Sequence, residues 1–212
     1  MLFLLSAAVS STDAHVSAAD SRPPSVTLQQ AYSLRNWTIG LRRDLHKCPE
    51  LLYDLKETSA YVRKVLDGLH IPYEYPLAQE GIVATIGTGE VPCVALRADM
   101  DALPIHEEVE SSYRSETAGK MHACGHDAHT SMLLTAARLL KQREGSLTGT
   151  VKLLFQPAEE GGAGGLAMVE VGVLRAKPQI ARIFALHVWP GLASGTIAGR
   201  EGTIMAAVAI QP

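Results

Sequence analysis

Residues 124–141 read CGHDAHTSMLLTAARLLK, and this stretch decides the fold class. Over residues 128–141, apolar side chains recur at the spacing of an amphipathic helix, in a stripe formed by Met132, Leu133, Ala136, Ala137, Leu139 and Leu140. A buried strand is predicted on each side, at residues 94–98 and 150–156, because both segments are rich in apolar and β-branched residues. The order strand, helix, strand predicts an α/β fold with helices on the faces of a sheet.

The same alternation continues on both sides of this unit. Apolar residues at helical spacing predict helices at residues 28–45, 58–69 and 166–173. Pro49 ends the first of these helices, and Gly68 with Pro72 ends the second. Apolar runs predict two further strands, at residues 82–86 and 180–188.

The composition is that of a globular protein and excludes several classes of binding protein. Of the 212 residues, 47% are hydrophobic and 19% are charged, and the net charge is −3. This balance argues against a nucleic-acid surface and against a polybasic membrane patch. Aromatic residues are only 5% of the chain, which disfavours a base-stacking platform. No apolar run reaches the roughly 18–20 residues that would span a bilayer.

The N-terminus predicts a secretory signal peptide over residues 1–18. Residues 1–9 form an apolar block, and Val16-Ser17-Ala18 supplies the small residues of a cleavage site. The alternative is an ordinary strand or a tail. Residues 19–27 contain two prolines and are predicted to be a linker. Asn36-Trp37-Thr38 is an N-glycosylation acceptor triplet, so we expect the secretory pathway, with the endoplasmic reticulum lumen or the exterior as destination.

The chain has three cysteines, and this small, odd number does not indicate a disulfide framework. Cys48 and Cys93 could pair in an oxidising lumen, but we expect both to be ordinary buried thiols. Cys124 differs, because it stands beside histidines.

Residues of metal-ligand type collect where the predicted strands end. They come from four segments: Asp99 and Asp101; Cys124, His126, Asp127 and His129; Glu159 and Glu160; and His187. Each has an ordinary alternative, since the aspartates could cap turns or helices, the glutamates could be a solvated pair and His187 could be a core histidine. Strand ends are where sites form in open α/β sheets, so the four segments together predict a metal centre.

Glu159 and Glu160 could divide the chemistry of hydrolysis between them. Neighbouring side chains in an extended or turn backbone point in different directions, so one carboxylate could bind a metal while the other faces a water as general base. The glycine run at residues 161–165 lacks the features of a P-loop and of a dinucleotide fingerprint, and we expect it to be tight backbone around the site. The chain has no G-x-S-x-G elbow, which argues against a serine hydrolase.

Four ordered motifs carry a family resemblance. They are LRADMDALPIHE at 96–107, GKMHACGHDAHTSMLL at 119–134, GTVKLLFQPAEEGG at 149–162 and FALHVWP at 184–190. They resemble the amidohydrolase branch of the dinuclear aminoacylase/carboxypeptidase metallopeptidases, and within it the plant IAA-amino acid hydrolases of the ILR1-like group. The resemblance implies a zinc-peptidase-like catalytic domain with a central mixed sheet flanked by helices.

The resemblance also assigns roles to residues. It implies that Cys124, His126, Glu160 and His187 are metal ligands and that Glu159 is the general acid/base. Asp101 would orient the ligands, and Asp99 and Asp127 are grouped with it as supporting residues. Two divalent ions are implied; Mn²⁺ is favoured, and Zn²⁺ is the alternative that the Cys ligand suits better. The expected substrates are N-acyl amino acids, auxin conjugates above all, with N-acetyl amino acids or small peptides as alternatives.

The resemblance further implies that the family pattern continues beyond His187. Residues 28–204 would then be the N-terminal part of the catalytic domain, and residues 205–212 the start of a lid domain. We expect the lid or dimerisation domain and one further His ligand to be absent from this chain. The competing hypothesis is therefore a truncated, catalytically silent product.

Overall fold

The computed structural model describes residues 25–199. Within these residues there are five α-helices and five β-strands in the order α1 (Val26–Ser33), α2 (Arg35–Lys47), α3 (Lys56–Gly68), β1 (Tyr73–Leu77), β2 (Gly81–Gly87), β3 (Cys93–Asp99), α4 (His126–Gln142), β4 (Thr150–Gln156), α5 (Gly164–Glu170) and β5 (Ile180–Ala185). The expected signal peptide, most of the expected linker and the expected lid segment lie outside the described residues.

The strands form one mixed sheet in the order β1-β2-β4-β3-β5. β1 and β2, and β2 and β4, pair antiparallel, whereas β3 is parallel to both β4 and β5. The predicted α/β class is confirmed. The three parallel strands therefore end at the same edge of the sheet, where sites form in this architecture.

Helices cover the two faces of the sheet unequally. On one face, α3 and α4 bury the main core, whose members include Leu66, Leu134, Ile82, Leu153 and Phe155. On the other face, α5 contributes Met168 to a smaller cluster with Leu154 and Val83. The larger core anchors α4, the helix whose first turn carries His126 and His129.

Several elements differ from the predicted ones. The helix predicted at 28–45 is two helices, because the chain turns at Leu34, whose N–H bonds back to the carbonyl oxygen of Ala31. Met132 is 38% exposed and does not belong to the buried stripe, in which Leu134 takes its place. β1 was not predicted; it contains Pro76, which an edge strand tolerates because one side of its ladder needs no donor.

The expectation of buried thiols is confirmed for Cys93 and wrong for Cys48, which is exposed; both are free. Asn36 is exposed in the first turn of α2. Within residues 25–199, none of the helices combines the length and the apolar character that crossing a membrane requires.

Candidate metal centre

The four predicted segments meet at the carboxyl edge of the parallel strands. Asp99 at the end of β3 lies opposite Gln156 at the end of β4, so the loops after both strands leave the sheet side by side. α4 begins at His126 against the same edge, and His187 follows β5 by two residues. Potential ligand atoms lie within 4.8 Å of one another in three groups: Cys124, His126 and His187; His126, Glu159 and Glu160; and Asp99, His126 and His129.

His126 belongs to all three groups and is fully buried. Its Nδ1 lies 2.7 Å from the carbonyl oxygen of Asp101, which only accepts hydrogen bonds, so we assign the ring proton to Nδ1. The Nε2 lone pair then faces Asp99 Oδ2 at 3.6 Å, Glu160 Oε1 at 3.7 Å and Glu159 Oε2 at 3.9 Å. Second hydrogen bonds of this kind orient histidine ligands in metal sites.

Two buried atoms at this point lack hydrogen-bond partners among the described residues: His126 Nε2 and Glu160 Oε1. Leaving a buried polar atom unpaired costs about 1–3 kcal/mol. Burial lowers the pKa of His126, but Asp101, Asp99 and Glu160 outweigh it and raise that pKa, which shows how negative the surroundings are. A cation between these atoms would satisfy both of them, so the donor set fits a divalent metal.

Cys124 and His187 face each other on the outer side of His126. Cys124 Sγ lies 3.3 Å from His187 Nε2, while His187 Nδ1 donates to the carbonyl oxygen of Val188 at 2.6 Å. Burial, followed by the charge of Glu160, raises the pKa of Cys124 to about 12. The thiol is therefore protonated without a cation, and a cation bound there would have to displace the proton.

Asp101 holds the two glutamates through their backbone. Its Oδ1 accepts the Glu159 N–H at 2.9 Å and its Oδ2 accepts the Glu160 N–H at 3.1 Å. Burial, followed by the charge of Asp99, raises the pKa of Glu159, against the opposing effects of His126 and Arg97. A carboxylate with a raised pKa next to a ligand cluster suits a general base.

Asp99 is paired by protein groups on both oxygens. Arg97 Nη1 donates to Oδ2 at 2.6 Å, and His129 Nδ1 donates to Oδ1 at 2.6 Å. Burial would raise the pKa of Asp99, but the His129 bond and the Arg97 charge outweigh it and lower that pKa. His129 Nε2 also accepts the Val188 N–H at 2.9 Å, so His129 joins β3 to the loop that carries His187.

Sequence reasoning placed His129 in the cluster but gave it no role. The available signal is its spacing of three residues from His126, which puts both rings on one side of α4. Asp127 turns away from the candidate ligands and instead contacts Arg42 and His46.

Two glycines permit the tight backbone around the site. Gly125, which precedes α4, has φ +103°, and a Cβ there would lie 2.4 Å from Val188 Cγ2. A Cβ on Gly164, within the predicted tight glycine run, would lie 1.7 Å from the carbonyl oxygen of Pro157. The turn before α4 and the start of α5 therefore both require glycine where the chain packs this closely.

Residues 95–206 match the family model described as Peptidase family M20/M25/M40. The chain belongs to this family. It is 51% identical over 181 residues to IAA-amino acid hydrolase ILR1-like 4 of Arabidopsis thaliana. The aligned region covers 85% of this chain and 40% of that relative. It is 46% identical over 177 residues to the N-acetyl-L-cysteine deacetylase of Bacillus subtilis, covering 83% of this chain and 42% of the relative.

A solved structure of the same family has a similar fold. The YXEP protein of Bacillus subtilis, described as a dinuclear metal binding peptidase from the M20 family, superposes with a TM-score of 0.75 at 41% identity. The match covers 81% of this M20 chain and 47% of the other. The resemblance stated from the motifs is thus confirmed, and the chain spans less than half the length of these relatives.

Proposed function

We propose that this chain contributes the metal ligands and the general base of a metal-dependent amidohydrolase that cleaves N-acyl amino acids. The main support for the proposal is a pair of buried atoms without hydrogen-bond partners, His126 Nε2 and Glu160 Oε1. They lie 3.7 Å apart, and the Glu159 carboxylate is beside them. The family membership and the names of the relatives support the same reaction class.

The residues that would hold two divalent ions are Cys124, His126, Glu160 and His187. When bound, such ions polarise an amide carbonyl and make a water easier to deprotonate. We place Mn²⁺ first and Zn²⁺ second, although a thiolate ligand by itself suits Zn²⁺ better.

Glu159 would move the proton. Its carboxylate accepts a proton from the attacking water, whose oxygen forms a bond to the amide carbon. The protonated Glu159 then gives that proton to the leaving nitrogen as the carbon–nitrogen bond breaks. The products are a carboxylic acid and an amino acid, and Glu159 regains its starting state.

The favoured substrates are conjugates of indole-3-acetic acid with amino acids. Several relatives at 51–53% identity are named as IAA-amino acid hydrolases. N-acetyl amino acids are the second candidate, because two bacterial relatives at 44–46% identity are named as N-acetylcysteine deacetylases. Comparing hydrolysis of indole-acetyl, acetyl and dipeptide substrates that share one amino acid would separate the candidates.

The test is release of indole-acetic acid from indole-acetyl-alanine and indole-acetyl-leucine by the purified chain with Mn²⁺, measured by chromatography. Glu159→Gln removes the proton acceptor at nearly constant shape, and we expect the rate to fall by about 10²–10⁴-fold. Glu74→Gln changes an exposed glutamate on β1 and should leave the rate unchanged. No release by folded wild-type protein, or full activity of Glu159→Gln, would contradict the proposal.

We also propose that the protein enters the secretory pathway. The apolar N-terminus and the exposed position of Asn36 in its acceptor triplet support this route. Expressed with its own N-terminus in plant cells, the protein should shift to a lower apparent mass after endoglycosidase treatment, and Asn36→Gln should abolish that shift. An unglycosylated wild-type protein found only in the cytosol would contradict this route.

A further inference from the structure

A second buried polar cluster lies behind the start of α4, away from the candidate metal ligands. At its centre is His46, in the last turn of α2 and 1% exposed. Its Nδ1 lies 2.6 Å from Asp127 Oδ2, and its Nε2 lies 3.1 Å from Glu107 Oε1. Each ring nitrogen thus faces a carboxylate oxygen, and an ionised carboxylate only accepts hydrogen bonds. Both bonds form together only when both nitrogens carry protons, which is the imidazolium.

Charged groups and aromatic rings surround His46 and its two carboxylate partners. Arg42 Nε donates to Asp127 Oδ2 at 2.8 Å, so two cations and two carboxylates meet. The Glu107 carboxylate also accepts the backbone N–H of Ser115 at 2.7 Å. Arg114 donates to the backbone carbonyl oxygen of Glu107 at 2.6 Å and adds a further positive charge. Tyr113 meets the His46 ring edge-on at 5.8 Å with Arg43 against its face, and His122 lies 6.3 Å away.

The two carboxylates favour the charged form of His46. The bond from Asp127 is the main reason that the pKa of His46 is raised above 6.5, and Glu107 adds to it, while burial and Arg42 oppose it. The C-terminal turn of a helix also favours a cation, which suits the position of His46 on α2.

The cluster connects to the candidate metal centre through one residue. Arg42 and His46 are one turn apart on α2, and both bond to Asp127 Oδ2. Asp127 is the second residue of α4 and directly follows His126. These two bonds attach α2 to the first turn of α4. The position of His126 Nε2 therefore depends on them. Glu107 ties the long loop after β3 to the same point.

We propose that His46, as an imidazolium shared by Asp127 and Glu107, is a positioning residue that fixes the first turn of α4 and so aims His126 into the metal centre. The inference rests on the proposed function, because it assigns His126 to a bound metal. It adds that the charge of a residue outside the ligand set determines how well the ligands are arranged.

The sign of the pH dependence follows from the raised pKa of His46. The stability that His46 contributes is fully present below its unfolded pKa of about 6.5 and is lost as the pH rises through the folded pKa. His46→Gln keeps a hydrogen-bonding side chain without the charge. The difference in melting temperature between wild type and this variant should therefore shrink as the pH is raised from about 6 to about 9.

The charge itself is measured on the wild-type chain by ¹⁵N NMR of the histidine side chains at pH 7, with the His46 ring assigned by correlation to its own backbone signals. We expect both His46 nitrogens to have imidazolium shifts. Signals of a neutral ring at pH 7 would overturn the inference, whether or not any variant folds.

The positioning role is measured by calorimetric titration of the metal-free chain with Mn²⁺. We expect His46→Gln to weaken binding by about tenfold or more, as loss of a group behind a metal ligand typically does. His70→Gln alters an exposed histidine and should bind as wild type does. Equal affinity of His46→Gln and wild type would overturn the inference. Tight binding without hydrolysis would refute the proposed function and leave this inference standing.

Discussion

Asp101 links three of the residues that form the candidate metal centre. Its two carboxylate oxygens accept the N–H groups of Glu159 and Glu160, and its backbone carbonyl accepts from His126 Nδ1. It is itself 1% exposed, so these bonds are shielded from water. A single buried aspartate therefore sets the backbone of the proposed general base, Glu159, and of the proposed ligand Glu160, and it sets the tautomer of His126.

Asp101→Asn tests this arrangement at nearly constant volume. The new amide presents an NH₂ group to one of the two backbone N–H donors, so at least one bond is lost and a buried donor is left unpaired. We expect Mn²⁺ affinity to fall about 10–100-fold. We expect the free energy of unfolding of the metal-free chain to fall by about 1–3 kcal/mol. Calorimetric titration and denaturant unfolding measure the two effects.

The matched control is Asp54→Asn, because Asp54 is exposed and lies outside the ligand cluster. Its metal affinity and stability should equal those of wild type. Wild-type affinity in Asp101→Asn would show that the two backbone bonds do not govern the ligand geometry.

Some residues of this centre could be predicted from the sequence and others could not. The four segments that carry Cys124, His126, Glu160 and His187 could be grouped in advance, because ligand-type residues stood at strand ends that a parallel sheet brings together. The family resemblance, and not the spacing, selected these four residues as the ligands. The direction of Asp127 could not be predicted, since adjacent helical residues point about 100° apart and its partner is unknown from the pattern. That partner, His46, is 81 residues away, and no local spacing connects the two.

At the scale of elements, prediction succeeded where burial was strong. β4 has the predicted bounds, and β3 and α4 differ from theirs by no more than two residues at either end. Buried strands and a half-buried helix carry dense apolar patterns that few alternative structures share. The start of α4 was missed because Gly125 in its left-handed conformation lets the helix begin at His126, ahead of the apolar stripe.

The missed elements lack such a pattern. β1 alternates between half-buried and exposed residues at the edge of the sheet, and it contains Pro76, a residue type that strands disfavour. The helix breaks at Leu34 without a Gly or a Pro. Because Leu34 is apolar and fits the helical spacing, the sequence does not show this break. In both places tertiary contacts, rather than local preference, determine the structure.

In the molecule as a whole, the candidate centre joins segments that follow inner strands of the sheet to a segment that follows an edge strand. β3 and β4 lie inside the sheet, but β5 is an edge strand, and His187 beyond it is exposed. Cys124, which precedes α4, contacts His187, and His129 within α4 accepts the Val188 N–H. A cation shared by these residues would therefore tie the edge of the sheet to its core.

Metal binding should consequently stabilise the entire described fold. At a free Mn²⁺ concentration about 100-fold above its dissociation constant, linkage adds about 2.7 kcal/mol, or roughly 5–10 °C in melting temperature for a chain of this size. Thermal unfolding by circular dichroism with Mn²⁺ and then with excess chelator measures the shift. His187→Ala should lose most of it, because that change removes the ligand from the edge strand, whereas Cys48→Ser alters an exposed thiol outside the cluster and should keep it. An equal shift in His187→Ala and wild type would place the cation elsewhere on the molecule, and no shift in wild type would show that these segments alone do not form a working site.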